Sequence, residues 1–292
     1  MRWFSRGRSS DRTRGVADLG IPPFPPDGPP PAEVQVRPPD DLAAAYAQLG
    51  ADLPGEAIVV GEPRPGVPVW AVRIGGEASL DWWERLRSLH PRTGLWPVLF
   101  WWPVDGPLLD ASIWETTALG DYYDDDVMVD VAVTFDAGAW LTDHEELEVS
   151  LATMRRSALA PADPDLADWR TCFHDVNPDA PDAVALIPAV GGWAVPAVLN
   201  WWGGANAHVD PLGHSAVLRR WAAAWGAELV LLDSATMMLR VERPPSDDLA
   251  LQQLAAEAWV HCPYVYGSYG NPQTLEELAH LMRRPVWDFW WD

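Results

Sequence analysis

Apolar and polar residues follow two rhythms along this chain, one near 3.6 and one of 2. Residues 40–50, DDLAAAYAQLG, have the helical spacing behind an aspartate and before a glycine, which predicts a short helix capped by Asp40 or Asp41 and stopped at Gly50. EAIVVG (56–61) and VPVWAVRI (67–74) read as strands. SLDWWERLRSLH (79–90) reads as a helix with Trp82, Leu86 and Leu89 on its stripe. LWPVLFWW (95–102) reads as a strand. In VMVDVAVTF (127–135), Val127, Val129, Val131, Val133 and Phe135 share one face, with Asp130 and Thr134 opposite. DHEELEVSLATMRRSAL (143–159) predicts a helix with acids early and arginines late, matching its dipole.

The grammar then repeats. AVALIPA (183–189) and WAVPAVLNWW (193–202) read as two strands around a glycine turn. A helix starts at Asp210 with His214, Leu218, Trp221 and Trp225 on one face. AELVLLD and TMMLRVE make a strand pair turning at Asp233-Ser234. A helix capped by Ser246 buries Leu251, Leu254, Ala255, Ala258 and Cys262. In TLEELAHLM, Thr274 and Glu277 form a capping box. The chain closes on VWDFWWD, where a strand would put Trp287, Phe289 and Trp291 on one face and Asp288, Trp290 and Asp292 on the other. The first set seals a core, and the second blunts a sheet edge. The same logic splits every WW pair. VLFWW (98–102) and VLNWW (198–202) echo each other at an offset of one hundred residues; in so tryptophan-rich a chain this reads as coincidence.

Composition breaks divide the chain. Pro22 to Pro39 holds nine prolines, so residues 1–40 read as a disordered, extended tail, used as a linker rather than docked on an aromatic groove. ALAPADPDLAD (158–168) marks a second break, giving an amino-terminal half over 41–160 and a carboxy-terminal domain over 161–292. The expected fold class is α+β: mixed, mostly antiparallel sheets packed with helices, in two sheet–helix halves with a tryptophan-rich core.

Charge narrows the function. The formal net charge is −22, and all 20 basic residues are arginine. Residues 1–15 carry five of those arginines and one aspartate, which leaves −26 on the rest. Such a body repels phosphate, which excludes nucleic acid as a partner of the folded part and favours a basic protein. Two distant cysteines, Cys172 and Cys262, make no disulfide framework and fit a reducing cytoplasm. The basic start has no apolar run behind it, so it is not a signal peptide. Residues 183–209 lack any charged side chain, but their prolines and glycines make a poor membrane span.

GWAVPAVLNWWGGAN, AVLRRWAAAWGAELV, AAEAWVHCPYV and TLEELAHLMRRPVWDFWWD together resemble the bacterial family called domain of unknown function 4253, over roughly residues 180–292. HPRTGLWPVLFWW looks like the amino-terminal portion of its longer members. The resemblance implies a fold unit and carries over no catalytic residue.

Three clusters offer chemistry. HVDPLGH holds His208, Asp210 and His214, residue types that bind zinc or iron, with His174, Asp175 or His261 as more distant ligands. The competing reading makes Asp210 a helix cap, Pro211 its first turn and His214 part of the core stripe. HCPYVYGSYG sets His261 beside Cys262, with Tyr264, Tyr266 and Tyr269 able to line a pocket. Adjacent helical residues diverge, so Cys262 reads as a buried thiol rather than a nucleophile. DYYDDDVMVD gathers Asp124, Asp125 and Asp126 without a calcium-loop pattern, and so reads as a solvated loop or a docking patch for a basic protein. Nucleotide-binding and hydrolase signatures are absent, and no cofactor is implied. The expectation is a non-enzymatic, immunity-like binding module that engages a basic partner through Asp124–Asp126, Trp202 and Trp290. The alternative is a metal-dependent or small-molecule-handling enzyme using His208, His214 and His261.

Overall fold

A computed structural model describes residues 27–29, 31, 34–36, 39–64, 67–102, 137–138, 141, 157–160, 168–203, 209–262, 272 and 274–291. Among these residues seven strands form one sheet: β1 (Ala57–Arg64), β2 (Val67–Arg73), β3 (Leu95–Phe100), β4 (Ala183–Pro188), β5 (Ala227–Leu232), β6 (Thr236–Val241) and β7 (Val286–Trp290), in the order β1-β2-β4-β3-β5-β6-β7. Only β3 and β5 pair in parallel; every other pairing is antiparallel. The fold is α+β, as expected. The sheet takes strands from both sides of residue 160, because β4 is seated between β2 and β3.

Helices cover both faces. On one lie α2 (Ser79–Thr93) and α3 (Trp169–Val176). The Trp83 indole of α2 donates to the Pro97 carbonyl at 3.0 Å, Arg87 pairs with Glu228, and Arg240 stacks over Trp169. On the other lie α4 (Val195–Leu199), α5 (Pro211–Trp225), α6 (Asp248–His261) and α7 (Leu275–Leu281). Trp221 of α5 stacks on Phe289 of β7 with centroids 5.3 Å apart, and Trp287 meets the same indole edge-on at 5.5 Å. Helix α1 (Leu42–Gln48) anchors to the core through Leu42 and Tyr46.

Local chemistry explains the boundaries. Asp41, Asp168, Asp210 and Asp247 each cap a helix by accepting a backbone N–H three residues on. The cap of α6 is thus Asp247, one residue beyond the expected Ser246. Thr274 and Glu277 form the expected capping box of α7. Helix α5 ends where Gly226 takes a φ of 66°, a backbone that lets β5 start in the next residue.

Two expectations are corrected. WAVPAVLNWW is not a strand: Gly192–Ala194 form a 3-10 turn and Val195–Leu199 form α4, with proline in its first turn and Asn200 left-handed at its end. A short, wholly apolar run has no polar position to reveal its period, and here it is buried all round. The echo between 98–102 and 198–202 therefore joins a strand to a helix end. On α2 the buried stripe is Leu80, Trp83, Leu86 and His90, with Trp82 and Leu89 only half-buried. Both stripes satisfy helical spacing, and the Pro97 carbonyl awaiting an indole N–H selects Trp83. The strand expected at 127–135 and most of the helix at 143–159 lie outside the described residues.

Parts of the proline-rich stretch are described, and they lie on the fold. Asp27 reaches α5, and the Val34 N–H donates to the Val190 carbonyl at 3.1 Å.

Candidate functional site

The aromatic residues of the carboxy-terminal half converge beneath the β5–β6 turn. Helix α4 ends in a left-handed Asn200, which turns Trp201 inward. Its indole N–H donates to the Asp233 carbonyl at 2.8 Å. Helix α5 brings His214 to within 4.7 Å of the Trp201 ring, centroid to centroid, and α6 brings His261 to 5.0 Å from His214. Trp291, just beyond β7, touches Trp201, His214 and His261, and donates its indole N–H to the His261 carbonyl at 3.3 Å. The approach is close enough to require glycine at 203, where a β-carbon would stand 2.0 Å from the Trp201 ring.

This cluster is buried. His214 and His261 are fully buried, and neither nitrogen of His214 has a hydrogen-bond partner among the described residues. Burial pushes the His214 pKa well below the usual imidazole value, and the neighbouring His261 adds to the effect. The indole shell therefore holds His214 against protonation.

Above the cluster the chemistry changes. Trp202 is half-buried, with its indole N–H on the Asn200 side chain at 3.1 Å, whereas its neighbour Trp201 is buried. Trp290 is 36% exposed, on a strand at the edge of the sheet. It pairs with Thr236, and the Thr236 carbonyl accepts from Asp233 N–H at 2.9 Å. Burial raises the Asp233 carboxyl above the usual carboxylate range, a rise opposed by the Ser234 N–H that donates to it. Asp233 and Trp290 thus lie at the same end of the sheet, Asp233 at the β5–β6 turn and Trp290 on the strand that pairs with Thr236.

The expected residues scatter around this end. Asp210 caps α5, accepting from Gly213 N–H at 2.6 Å. His214 and His261 are brought together, and Cys262 is a buried thiol donating to the Trp290 carbonyl at 3.2 Å. His174 and Asp175 lie on α3, across the sheet from α5 and α6. His208, Tyr264, Tyr266, Tyr269 and Asp124–Asp126 lie outside the described residues. Among the described residues no group of three ligating side chains converges, and no helix is long and apolar enough to cross a membrane. Sequence reasoning read Asp233 only as a turn; its burial, and the Trp201 indole that reaches its carbonyl, come from the folded arrangement and leave no local signal.

Among the described residues the architecture is that of an α+β protein whose seven-stranded mixed sheet ends in a tryptophan–histidine cluster built wholly after residue 183. Over residues 183–292 the chain matches the family described as a domain of unknown function (DUF4253), the segment that carries β4 to β7 and α4 to α7. No curated protein and no solved structure matches the chain.

Proposed function

We propose that the protein is a non-enzymatic binding module that docks a basic protein on the end of the sheet formed by Trp202, Asp233 and Trp290. The observation that carries this reading is Trp290, an exposed indole on the edge strand β7, at the same end of the sheet as Asp233, whose charge is penalised by burial. A guanidinium or ammonium arriving there restores the charged carboxylate and packs on the indoles, the residue type most enriched among interface anchors. The net charge of −22 steers such a partner from a distance. Asp124–Asp126 supply a second acidic patch for the same partner.

The test is a pull-down at low and high salt with wild type, Trp290→Ala and Asp233→Asn. A stoichiometric basic partner, lost in both variants and at high salt, supports the reading. A partner retained by both variants, or indifferent to salt, rejects it.

One observation favours a second reading, a metal-dependent or small-molecule-handling enzyme using His208, His214 and His261. Helices α5 and α6 bring two of these three rings to 5.0 Å. Stoichiometric metal in the purified protein, lost in His214→Ala, would support it; equal metal content in both would remove its basis.

A further inference from the structure

A second charged site lies away from the sheet end, where α5 meets α6. The sequence LRRWAAAW places two consecutive arginines in the middle of a helix, and both are buried. Arg220 lies between two carboxylates. Its Nε and Nη2 donate to Glu257 Oε1 at 3.1 and 2.6 Å, and its Nη1 donates to Asp27 Oδ1 at 2.7 Å. Glu257 is fixed in turn by the Trp221 indole N–H at 2.9 Å. The other oxygen of Asp27 lies 3.7 Å from Arg219 Nη2 and accepts from Ala137 N–H at 3.1 Å. One aspartate of the proline-rich stretch is thus received by two hydrogen-bond donors, Arg220 and the Ala137 N–H, and by a second guanidinium, Arg219, in an ion pair.

The receptor and its occupant differ in how they are built. Arg219, Arg220, Trp221 and Glu257 are rigid parts of packed helices, with Glu257 orienting Arg220 from behind. Asp27 sits among prolines, which favour an extended chain without internal hydrogen bonds. The next described tie of this segment to the sheet is the Val34–Val190 hydrogen bond. Beside Gly28 is a cavity of ≈ 70 Å³, lined also by Trp225, Leu254 and Glu257. A buried, charged seat that receives a carboxylate from a proline-rich sequence is how recognition of an extended peptide is built.

We propose that the Arg219–Arg220 cleft is a receptor for a carboxylate borne on a proline-rich segment, with the chain's own Asp27 segment as its resident, exchangeable occupant. The segment then works as a strap: engaged, it covers the α5–α6 cleft, and displaced, it opens that cleft to a competing acidic, proline-rich chain. This site is separate from the surface proposed above, and it takes the opposite charge.

The test uses the full chain and a fluorescent synthetic peptide of residues 25–36. The peptide is expected to bind the Asp27→Ala chain, whose seat is vacated, at least ten-fold more tightly than the wild-type chain. A peptide carrying Asp27→Asn should lose at least ten-fold on the vacated chain. Equal binding to both chains, or to neither, overturns the proposal. If the Asp27→Ala chain does not fold, the wild-type chain decides the same question. Excess peptide should displace the resident segment and speed amide exchange at Val34, while the Asp27→Asn peptide leaves it unchanged. Exchange at Val34 that responds to both peptides, or to neither, rejects the strap.

Discussion

The rings of His214 and His261 meet edge to face, 5.0 Å between centroids and 89° between planes, at the buried end of the sheet. Each comes from a different helix, and neither has any exposed surface. The contact therefore holds only while the His214 imidazole stays neutral. His214 has its folded pKa depressed by burial and by His261, so its contribution to stability is complete above the unfolded value of 6.5. Below that pH the unfolded chain takes a proton that the folded chain refuses, and stability falls until the folded pKa is reached. We expect urea midpoints to be flat from pH 9 to pH 7 and to drop below 6.5. His214→Phe should lessen the drop. His90 leaves a residual slope in that variant: burial depresses it and Arg87 adds to the shift, against the opposing hydrogen bond to the Ala189 carbonyl. An undiminished drop in His214→Phe would count against a neutral, buried His214.

The Arg220–Glu257 pair sets a second expectation. Both groups are buried, and Glu257 also accepts from Trp221. Removing one member of a buried pair leaves a desolvated charge, at a cost of about 3–5 kcal/mol. Glu257→Gln should fall near the lower end, because Asp27 still faces Arg220. The double variant Arg220→Met/Glu257→Leu leaves Asp27 facing only Arg219 and takes the acceptor from the buried Trp221 indole N–H, so it should lose at least as much as Glu257→Gln alone. Urea denaturation of the three chains measures this, and a double variant more stable than the single one would mean that the buried pair itself is net destabilising.

How far the sequence foretold this molecule depends on whether a signal was local. Caps at Asp41, Asp210 and Thr274 were legible because a side chain that caps a helix does so within three residues. The closing strand was legible because Trp287, Phe289 and Trp291 alternate with Asp288 and Trp290, though Asp288 is itself buried. Helix α4 was not, since ten residues of apolar sequence fit either period. Nor was the strand order: that β4 lies between β2 and β3 is decided by pairings as distant in sequence as Trp70 with Leu186 and Leu95 with Pro188. The candidate site divides the same way. His214 and Trp290 could be named from spacing, whereas Asp233 and the seat of Asp27 depend on contacts made only after folding.

Gly28 offers a test of the strap that adds stability instead of removing it. Its backbone is not left-handed, and a β-carbon there would meet only Ala223 Cβ, at 3.8 Å. Gly28→Ala therefore fits without strain and restricts the undocked chain, which is worth about 0.4–1 kcal/mol. Amide exchange at Val34 should slow several-fold, with amides of β4 unchanged. Faster exchange would mean that the segment needs the freedom of glycine to reach its seat.

Trp290 and Trp291 separate folding from binding most sharply, because they are neighbours with opposite surroundings. Trp291 is 1% exposed and in ring contact with Trp201, His214, His261 and Phe289. Its loss opens a large cavity in a region that cannot collapse, since α5, α6 and β7 all frame it; Trp291→Ala should cost about 3–5 kcal/mol. Trp290 is exposed, and its backbone, not its indole, receives the Cys262 thiol. Trp290→Ala should cost well under about 1 kcal/mol, as exposed positions do. If Trp290 is an interface anchor, the same change should weaken partner binding by about 2 kcal/mol or more, roughly a thirty-fold loss or greater. The pattern to look for is a crossed one: Trp291→Ala unstable, and Trp290→Ala stable but unable to bind. A Trp290→Ala chain that is itself strongly destabilised would place that indole in the core and remove the anchor from the proposed surface.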